Sequence, residues 1–329
     1  MDLSRKEFIK KSMLATAGLS NGLTKYANSR THSGEEIIKL RQNRNSGIKI
    51  SVFSKHLQWM NYEEMAKASA QMGFDGVDLT VRPGGHVLPE NADTDLPKAV
   101  EAVRNQGLEV YTISTAIADP EDKSNKRLLE LASQLGIKHY RMGWFNYDDQ
   151  WSIAENLNQF KIRLQKLAEL NEQYGIYGDY QNHSGTSFGA AVWDEWTVLH
   201  AINSPWIGSQ YDIRHATVEG GQSWPVGLKA MHPYIGTLDI KDFHWGKAGD
   251  SWQIKNVPLG QGQVNFDQYF KLLKQYDVRV PITIHNEYDL GGAQHGNSII
   301  SIPGKQVLDA LQSDLMTLQK WLEKAQLVK

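Results

Sequence analysis

The sequence predicts a (β/α)8 barrel, an α/β fold in which eight parallel strands close into a cylinder surrounded by helices. From Gly47 onward, short apolar runs alternate with longer segments of helical periodicity, eight times in succession. The first predicted strand is followed by SVFSKHLQWM. A doubly wound sheet normally carries a glycine-rich phosphate loop there, so that fold is the weaker alternative.

Each predicted strand is short, apolar and rich in β-branched or aromatic residues, as buried parallel strands are. The predicted strands are 48–53, 76–81, 108–114, 137–142, 175–180, 206–212, 234–240 and 280–287. Four of the helical segments between them stop at a glycine, the residue that most readily takes the left-handed conformation at a helix end: Gly73, Gly107, Gly136 and Gly175. Two glycine-containing segments, 217–227 and 289–296, are predicted as long loops.

Composition limits the class of protein. A chain of 329 residues suits one barrel of about 250 residues with a terminal extension. A net charge of -2 gives no reason to expect a nucleic-acid partner. The absence of cysteine excludes disulfides, thiolate metal sites and a cysteine nucleophile. No run is long and apolar enough to span a bilayer, so we expect no stable membrane insertion.

The first 46 residues are predicted to be an export signal and a polar linker, and residues 47–329 the barrel. Ser4 to Lys10 resembles the S-R-R-x-F-L-K pattern of twin-arginine signals, with Lys6 at the second arginine position, and a mildly apolar run follows over 13–23. Export implies a periplasmic location. The alternative is an amphipathic helix on a cytoplasmic protein.

Barrel enzymes place their chemistry at the carboxyl ends of the strands. Polar residues are abundant just after the predicted strands. Six of the eleven histidines fall in these loops: His56, His86, His183, His215, His244 and His295. This clustering at one face predicts an active site.

The motifs after the last three strands carry a family resemblance. YDIRH, DIKDFHW and HNEYDLGG resemble the xylose isomerase-like superfamily, and more closely the sugar phosphate isomerase/epimerase-type proteins, over residues 48–325. The resemblance implies a divalent metal at the barrel mouth, held by Glu, Asp, His and Glu after strands five to eight. The matching positions are Gln181, Asp212, Asp239 and Glu287. Gln181 and Asp239 depart from the pattern, whereas His215 matches the histidine of D-x-x-H, which contacts substrate or the ligand surroundings.

The three carboxylates in this set would repel one another unless a cation lay between them. A divalent metal (Mn, Mg, Co or Zn) removes that conflict and favours ionised ligands. The alternative is a salt-bridge network in place of the metal, built from nearby basic side chains: Lys55, Arg82, Arg141, Arg214 and Lys241.

The resemblance implies proton abstraction next to a carbonyl of a sugar, keto-sugar or cyclitol. Ketose epimerases use two carboxylates, and Gln181 cannot take a proton, so a symmetric pair is disfavoured. The predicted catalytic residues are Glu287, His183, His215 and Lys241, with His183 as the partner of Glu287. The predicted substrate-binding residues are Lys55, Arg82, His86, Arg141, Trp144, Trp224 and His244.

The leading prediction is therefore a metal-dependent isomerase or epimerase acting on a small carbohydrate, with homo-oligomerisation left open. A lyase or dehydratase acting on keto-glycosides would use the same chemistry. A sugar-binding barrel without activity is a further alternative. An endonuclease-like phosphodiesterase is disfavoured by the net charge and the shortage of histidine ligands.

Overall fold

The computed structural model describes residue 37 and residues 47–328, and the predicted export segment lies outside them apart from residue 37. Ten strands occur in the described part of the chain. They are β1 (Ile50–Phe53), β2 (Gly76–Val81), β3 (Glu109–Thr115), β4 (His139–Arg141), β5 (Tyr177–Gln181), β6 (Ile207–Asp212), β7 (Ile235–Ile240), β8 (Asp242–Ala248), β9 (Ser251–Val257) and β10 (Ile282–Ile284).

Eight of these strands form a closed barrel in the order β1-β10-β7-β6-β5-β4-β3-β2. Every neighbouring pair is parallel. The predicted fold class is therefore confirmed. The eighth barrel strand is shorter than predicted, so His285 to Glu287 leave the ladder and lie at the rim.

Helices follow the strands as predicted. They are α1 (Tyr62–Met72), α2 (Ala92–Asn105), α3 (Lys123–Gln134), α4 (Ile153–Tyr174), α5 (Val192–Ile202), α6 (Ile213–Gly220), α7 (Trp224–Met231), α8 (Phe266–Gln275) and α9 (Gly304–Lys324). The predicted glycines after α1 to α4 all have positive φ angles, with Gly73 at 94° and Gly175 at 64°. These residues end the helices because glycine takes that conformation without a Cβ clash.

The prediction of a loop over 217–227 was wrong. Most of it is helical, because α6 continues to Gly220 and α7 starts at Trp224, with a short 3-10 turn between them. Gly221, at a φ of 51°, interrupts the helical conformation between α6 and α7. Pro225 fits the first turn of α7, where its missing N–H is not needed. Trp224 is consequently buried, and its ring packs 6.2 Å from that of Tyr269.

A β-hairpin after β7 was not predicted. Strands β8 and β9 pair antiparallel, with Lys247 opposite Trp252, and Gly249 turns the chain at a φ of 62°. The hairpin exposes Trp245 and Trp252, at 43% and 62%. Alternating large side chains around Gly249-Asp250 are typical of a hairpin, so this element was visible in the sequence.

None of the helices within the described residues is long and apolar enough to cross a membrane.

The long helix α4 starts at a capping box. The Ser152 side chain accepts from the backbone N–H of Glu155, and the Glu155 carboxylate accepts from the backbone N–H of Ser152. We expect Ser152→Ala to lower the free energy of unfolding by about 1 kcal/mol, measured by urea denaturation. Ser313→Ala, at an exposed position inside α9, is the control and should be neutral or stabilising. An equal loss in both variants would contradict a capping role.

Candidate active site

Parallel register brings acidic side chains from neighbouring strands to one rim of the barrel. Asp212, the last residue of β6, lies opposite Asp239 of β7, and Asp239 lies opposite Thr283 of β10. Two residues after Thr283, His285 points to the same side, since side chains in extended chain alternate. Ligand atoms of Asp212, Asp239 and His285 all lie within 4.8 Å of one another, and all three residues are buried. We call this set the acid–histidine cluster.

Several atoms of the acid–histidine cluster lack hydrogen-bond partners among the described residues. They are Oδ1 of Asp239 and both ring nitrogens of His285, with Oδ1 of Asp239 3.4 Å from Nε2 of His285. A buried polar atom without a partner costs about 1–3 kcal/mol, so such atoms mark a site for a ligand. Two carboxylates and an imidazole are a donor set that suits a divalent metal ion.

The pKa shifts in the cluster are those of buried ligands considered without a cation. Burial, reinforced by the charge of Asp212, raises the pKa of Asp239 well above its ordinary value. Burial, with a further contribution from Lys241, lowers the pKa of His285 well below its ordinary value. A divalent cation would keep Asp239 ionised and would bind the neutral imidazole. The residues present therefore fit a metal ion.

Gln181 holds the two aspartates together. Its Nε2 donates to Oδ2 of Asp212 at 3.1 Å and to Oδ2 of Asp239 at 2.6 Å. Its Oε1 accepts from a guanidinium nitrogen of Arg141 at 3.2 Å. A carboxylate at position 181 would repel both aspartates, whereas the amide donates to both of them. The amide oxygen, the only atom of Gln181 suited to a metal, is directed to Arg141.

Glu287 lies beside the cluster and is paired with two lysines. Nζ of Lys55 is 3.0 Å from Oε1, and Nζ of Lys241 is 3.1 Å from Oε2 and 3.1 Å from Oδ2 of Asp212. Burial alone would raise the pKa of Glu287, but the positive charges of Lys241 and Lys55 outweigh it and hold the pKa well below its ordinary value. Burial lowers the pKa of Lys55. Two of the five basic residues in the predicted salt-bridge network, Lys55 and Lys241, pair with Glu287 and Asp212. Among the described residues, no lysine or arginine pairs with Asp239 or His285.

Two histidines stand next to the cluster with defined proton positions. Nδ1 of His183 donates to the carbonyl oxygen of Ser184 at 2.9 Å, so the neutral ring has a free lone pair on Nε2. Nδ1 of His215 faces three donors, the backbone N–H and hydroxyl of Ser184 and the guanidinium of Arg214, at 3.0, 2.7 and 2.9 Å. His215 therefore carries its proton on Nε2, which is 3.6 Å from Asp212. The two rings lie 4.0 Å apart.

A phenylalanine supports one wall of the site. The Phe53 ring stacks on that of His285, with centroids 4.3 Å apart. Cationic groups of Lys55, Arg82 and Arg141 lie 5.3, 5.6 and 5.9 Å from the centre of the Phe53 ring. Phe53 therefore connects the acid–histidine cluster to three basic side chains.

The half-exposed indole of Trp144 adds an aromatic surface at the opening of the site. Its ring lies 5.0 Å from the guanidinium of Arg141 and 5.0 Å from the ring of His183.

The other predicted substrate-binding residues lie in different surroundings. Trp224 is in the packed core, as described above. His86 is half-buried in the loop after β2, where a ring nitrogen lies 2.9 Å from the carbonyl oxygen of Met60. His244 is half-buried on the hairpin, opposite Lys255.

Sequence reasoning missed His285. The signal was present, because Thr283, His285 and Glu287 alternate in TIHNE and share one face of an extended chain. His56 also has a structural role. Its Nε2 accepts from the backbone N–H of Asn286 at 3.0 Å, which fixes the segment between His285 and Glu287.

Comparisons with known proteins agree with the barrel fold. A model of the xylose isomerase-like TIM barrel family matches residues 66–301. An L-ribulose-5-phosphate 3-epimerase of Escherichia coli is 24% identical over 226 residues, which are 67% of this chain and 68% of that protein. A putative L-ribulose-5-phosphate 3-epimerase of Shigella dysenteriae has the same identity and coverage.

Solved structures match over most of the barrel. An L-ribulose 3-epimerase has a TM-score of 0.65 at 14% identity, over 85% of this chain and 96% of that chain. A 3-keto-D-glucoside 4-epimerase from E. coli has a TM-score of 0.62 at 15% identity, over 82% of this chain and 99% of that chain. At these identities the likeness establishes a shared fold.

Proposed function

Because this chain belongs to the xylose isomerase-like TIM barrel family, we propose that it is a metal-dependent sugar isomerase or epimerase. Its substrate in this proposal is a small sugar, keto-sugar or cyclitol that loses and regains a proton next to a carbonyl. The names of the related epimerases identify sugars as their substrates. The observation that carries the proposal is the buried acid–histidine cluster, whose unpartnered atoms lie at the catalytic rim of the barrel.

In this proposal Asp212, Asp239 and His285 hold the cation. Glu287, at a position that the family pattern also places among the ligands, is a candidate for completing the shell. Gln181, at another such position, could bind the cation only if its amide oxygen turned away from Arg141. The imidazole favours Mn, Co or Zn over Mg. When bound, the cation supplies a Lewis acid that polarises the substrate carbonyl.

Proton transfer is assigned to side chains that flank the cluster. The free Nε2 lone pair of His183 makes it the base, because burial lowers its pKa and keeps it neutral at pH 7. The Nε2–H of His215 donates to a substrate oxygen. Lys241 is the acid that faces the cluster from the side of Glu287. Glu287 orients both lysines, and it can accept a proton only after a lysine moves away.

One observation favours a lyase as the second candidate. The groups proposed for proton transfer are chemically different, an imidazole and an ammonium, whereas a symmetric epimerase needs two equivalent bases. A base that removes a proton and an acid that protonates a leaving group suit elimination from a keto-glycoside. Loss of the glycosidic group from the product, detected by mass spectrometry, distinguishes elimination from epimerisation.

We expect the protein with added Mn²⁺ to exchange deuterium from D2O into the carbon next to the carbonyl of a keto-sugar. His183→Ala should lower that exchange roughly 10²- to 10⁴-fold, because the base is lost. The wild-type rate should fall at acid pH, as His183 becomes protonated below its lowered pKa. NMR or mass spectrometry measures the exchange.

The matched control is His232→Ala, a half-buried histidine whose ring stacks on Tyr276 of the helical layer. It should exchange at the wild-type rate. No exchange by the wild-type protein over a panel of keto-sugars and keto-glycosides would favour a sugar-binding protein without activity. Full exchange in His183→Ala would show that another residue is the base.

A further inference from the structure

The guanidinium of Arg82 lies beside the site without a polar partner. Arg82 follows β2 directly, so its side chain leaves from the catalytic rim. Its backbone makes hydrogen bonds to the loop, but among the described residues its side chain forms neither a hydrogen bond nor an ion pair. Burial, and then the nearby charge of Arg141, lower the pKa of Arg82 to about 10, so the group stays cationic at neutral pH.

A half-buried charge without a counterion is unfavourable, so its partner is expected to come from outside the chain. Arg141, whose guanidinium also lies near the Phe53 ring, reinforces this expectation. Among the described residues its buried Nε has no hydrogen-bond partner, and its side chain has one hydrogen bond, with the neutral amide of Gln181. Within the described residues, neither arginine has a carboxylate at ion-pair distance.

The balance of charged side chains around the rim also favours an anionic ligand. The charges that act most strongly on Lys55, Arg82, Arg141 and Arg214 come from one another, from Lys241, and from five carboxyl groups: Asp78, Asp212, Asp239, Glu287 and the exposed Glu219. The two sets are equal in number before any metal ion binds. A site loaded with a divalent cation therefore has surplus positive charge, although the whole chain has a net charge of -2.

The arginine and the cluster are within reach of one small molecule. The Arg82 guanidinium lies 5.6 Å from the centre of the Phe53 ring, and the His285 ring lies 4.3 Å from that same centre. The Arg82 guanidinium and the His285 ring therefore cannot be farther apart than the sum of those distances. That separation is comparable with the length of one extended sugar molecule that carries a carboxylate or phosphate.

Resting on the proposed function, we propose that the substrate is an anionic sugar, and that Arg82 is the specificity-determining residue that binds its carboxylate or phosphate while the carbonyl lies at the acid–histidine cluster. Both anions have paired oxygens that match the fork of a guanidinium. Arg141 reinforces the binding through its nearby positive charge. A neutral sugar would leave Arg82 without a partner.

Calorimetric binding of three matched probes tests this inference without any turnover. Glucitol is neutral, gluconate adds a carboxylate, and glucitol 6-phosphate adds a phosphate. We expect at least one anionic probe to bind the wild-type protein roughly 30- to 100-fold more tightly than glucitol, and we expect added salt to weaken that preference. The stronger anion identifies the substrate class. Measurements with and without Mn²⁺ reveal any binding through the cation.

Arg82→Met should remove the preference for the anionic probe, and Arg82→Lys should retain part of it. The matched control is Arg127→Met, an exposed arginine of α3 paired with Asp93 and Glu130, which changes the net charge equally and should keep the full preference. Equal binding of all three probes by the wild-type protein, or a preference that survives in Arg82→Met, would overturn the inference. Failure of the proposed function appears separately, as absence of deuterium exchange.

Discussion

Replacing Asp239 with asparagine is expected to abolish binding of a divalent cation at the proposed site and to lower deuterium exchange by roughly 10³-fold. Asparagine keeps the size of the side chain but loses the negative charge. Oδ1 of Asp239 has no hydrogen-bond partner among the described residues, so we assign this oxygen the role of binding the cation. Elemental analysis of the purified variant measures the metal, and exchange in D2O with excess Mn²⁺ measures the activity.

Asp314→Asn is the matched control. Asp314 is buried as deeply as the cluster residues, but both of its carboxylate oxygens already accept hydrogen bonds, from Asn286, Tyr288 and Leu259. Its replacement should leave the metal content unchanged. Metal retained at full stoichiometry in Asp239→Asn would refute the assignment of Asp239 as a ligand.

Lys241→Met is expected to lower the free energy of unfolding of the metal-free protein by about 3 kcal/mol. The ammonium lies 3.1 Å from both Asp212 and Glu287, and Lys241 and Asp212 are almost completely buried. Removing it leaves Asp212 buried without its cation. Added Mn²⁺ should restore more stability to the variant than to the wild type, because the metal supplies the lost positive charge. Urea denaturation with a chelator, and then with Mn²⁺, measures both effects.

Lys305→Met gives the reference for an exposed pair. Lys305 and Asp309 form an ion pair on the surface of α9, where such pairs contribute about 0.5 kcal/mol or less. The variant should respond to Mn²⁺ as the wild type does. If Lys241→Met were as stable as Lys305→Met without metal, the ion pairs of Lys241 would contribute little to the fold.

The barrel could be predicted because its signals are local. Apolar strands and glycine-terminated helices repeat along the chain, and each repeat is decided by neighbouring residues. The exceptions were also local. A hairpin turn at Gly249-Asp250 was overlooked, and Gly220-Gly221 was interpreted as a loop, although it only separates two helices.

The candidate site was harder to predict because it depends on contacts between distant strands. The sequence placed Asp212, Asp239 and Glu287 at one rim, and the structure brings them there. It did not indicate that Lys241 would lie between Asp212 and Glu287, because this depends on the side-chain conformation of a residue one position past β7. It also did not indicate that the ring nearest to Asp239 would be His285.

The amide of Gln181 has a consequence for how the site responds to its surroundings. An amide neither gains nor loses a proton over the range of pH in which proteins stay folded, so Gln181 adds no titrating group beside Asp212 and Asp239. A glutamate there would add a third titrating carboxyl and couple the shape of the pocket to pH. In this protein the response of the site to pH is left to Asp239, whose pKa burial raises, and to the histidines.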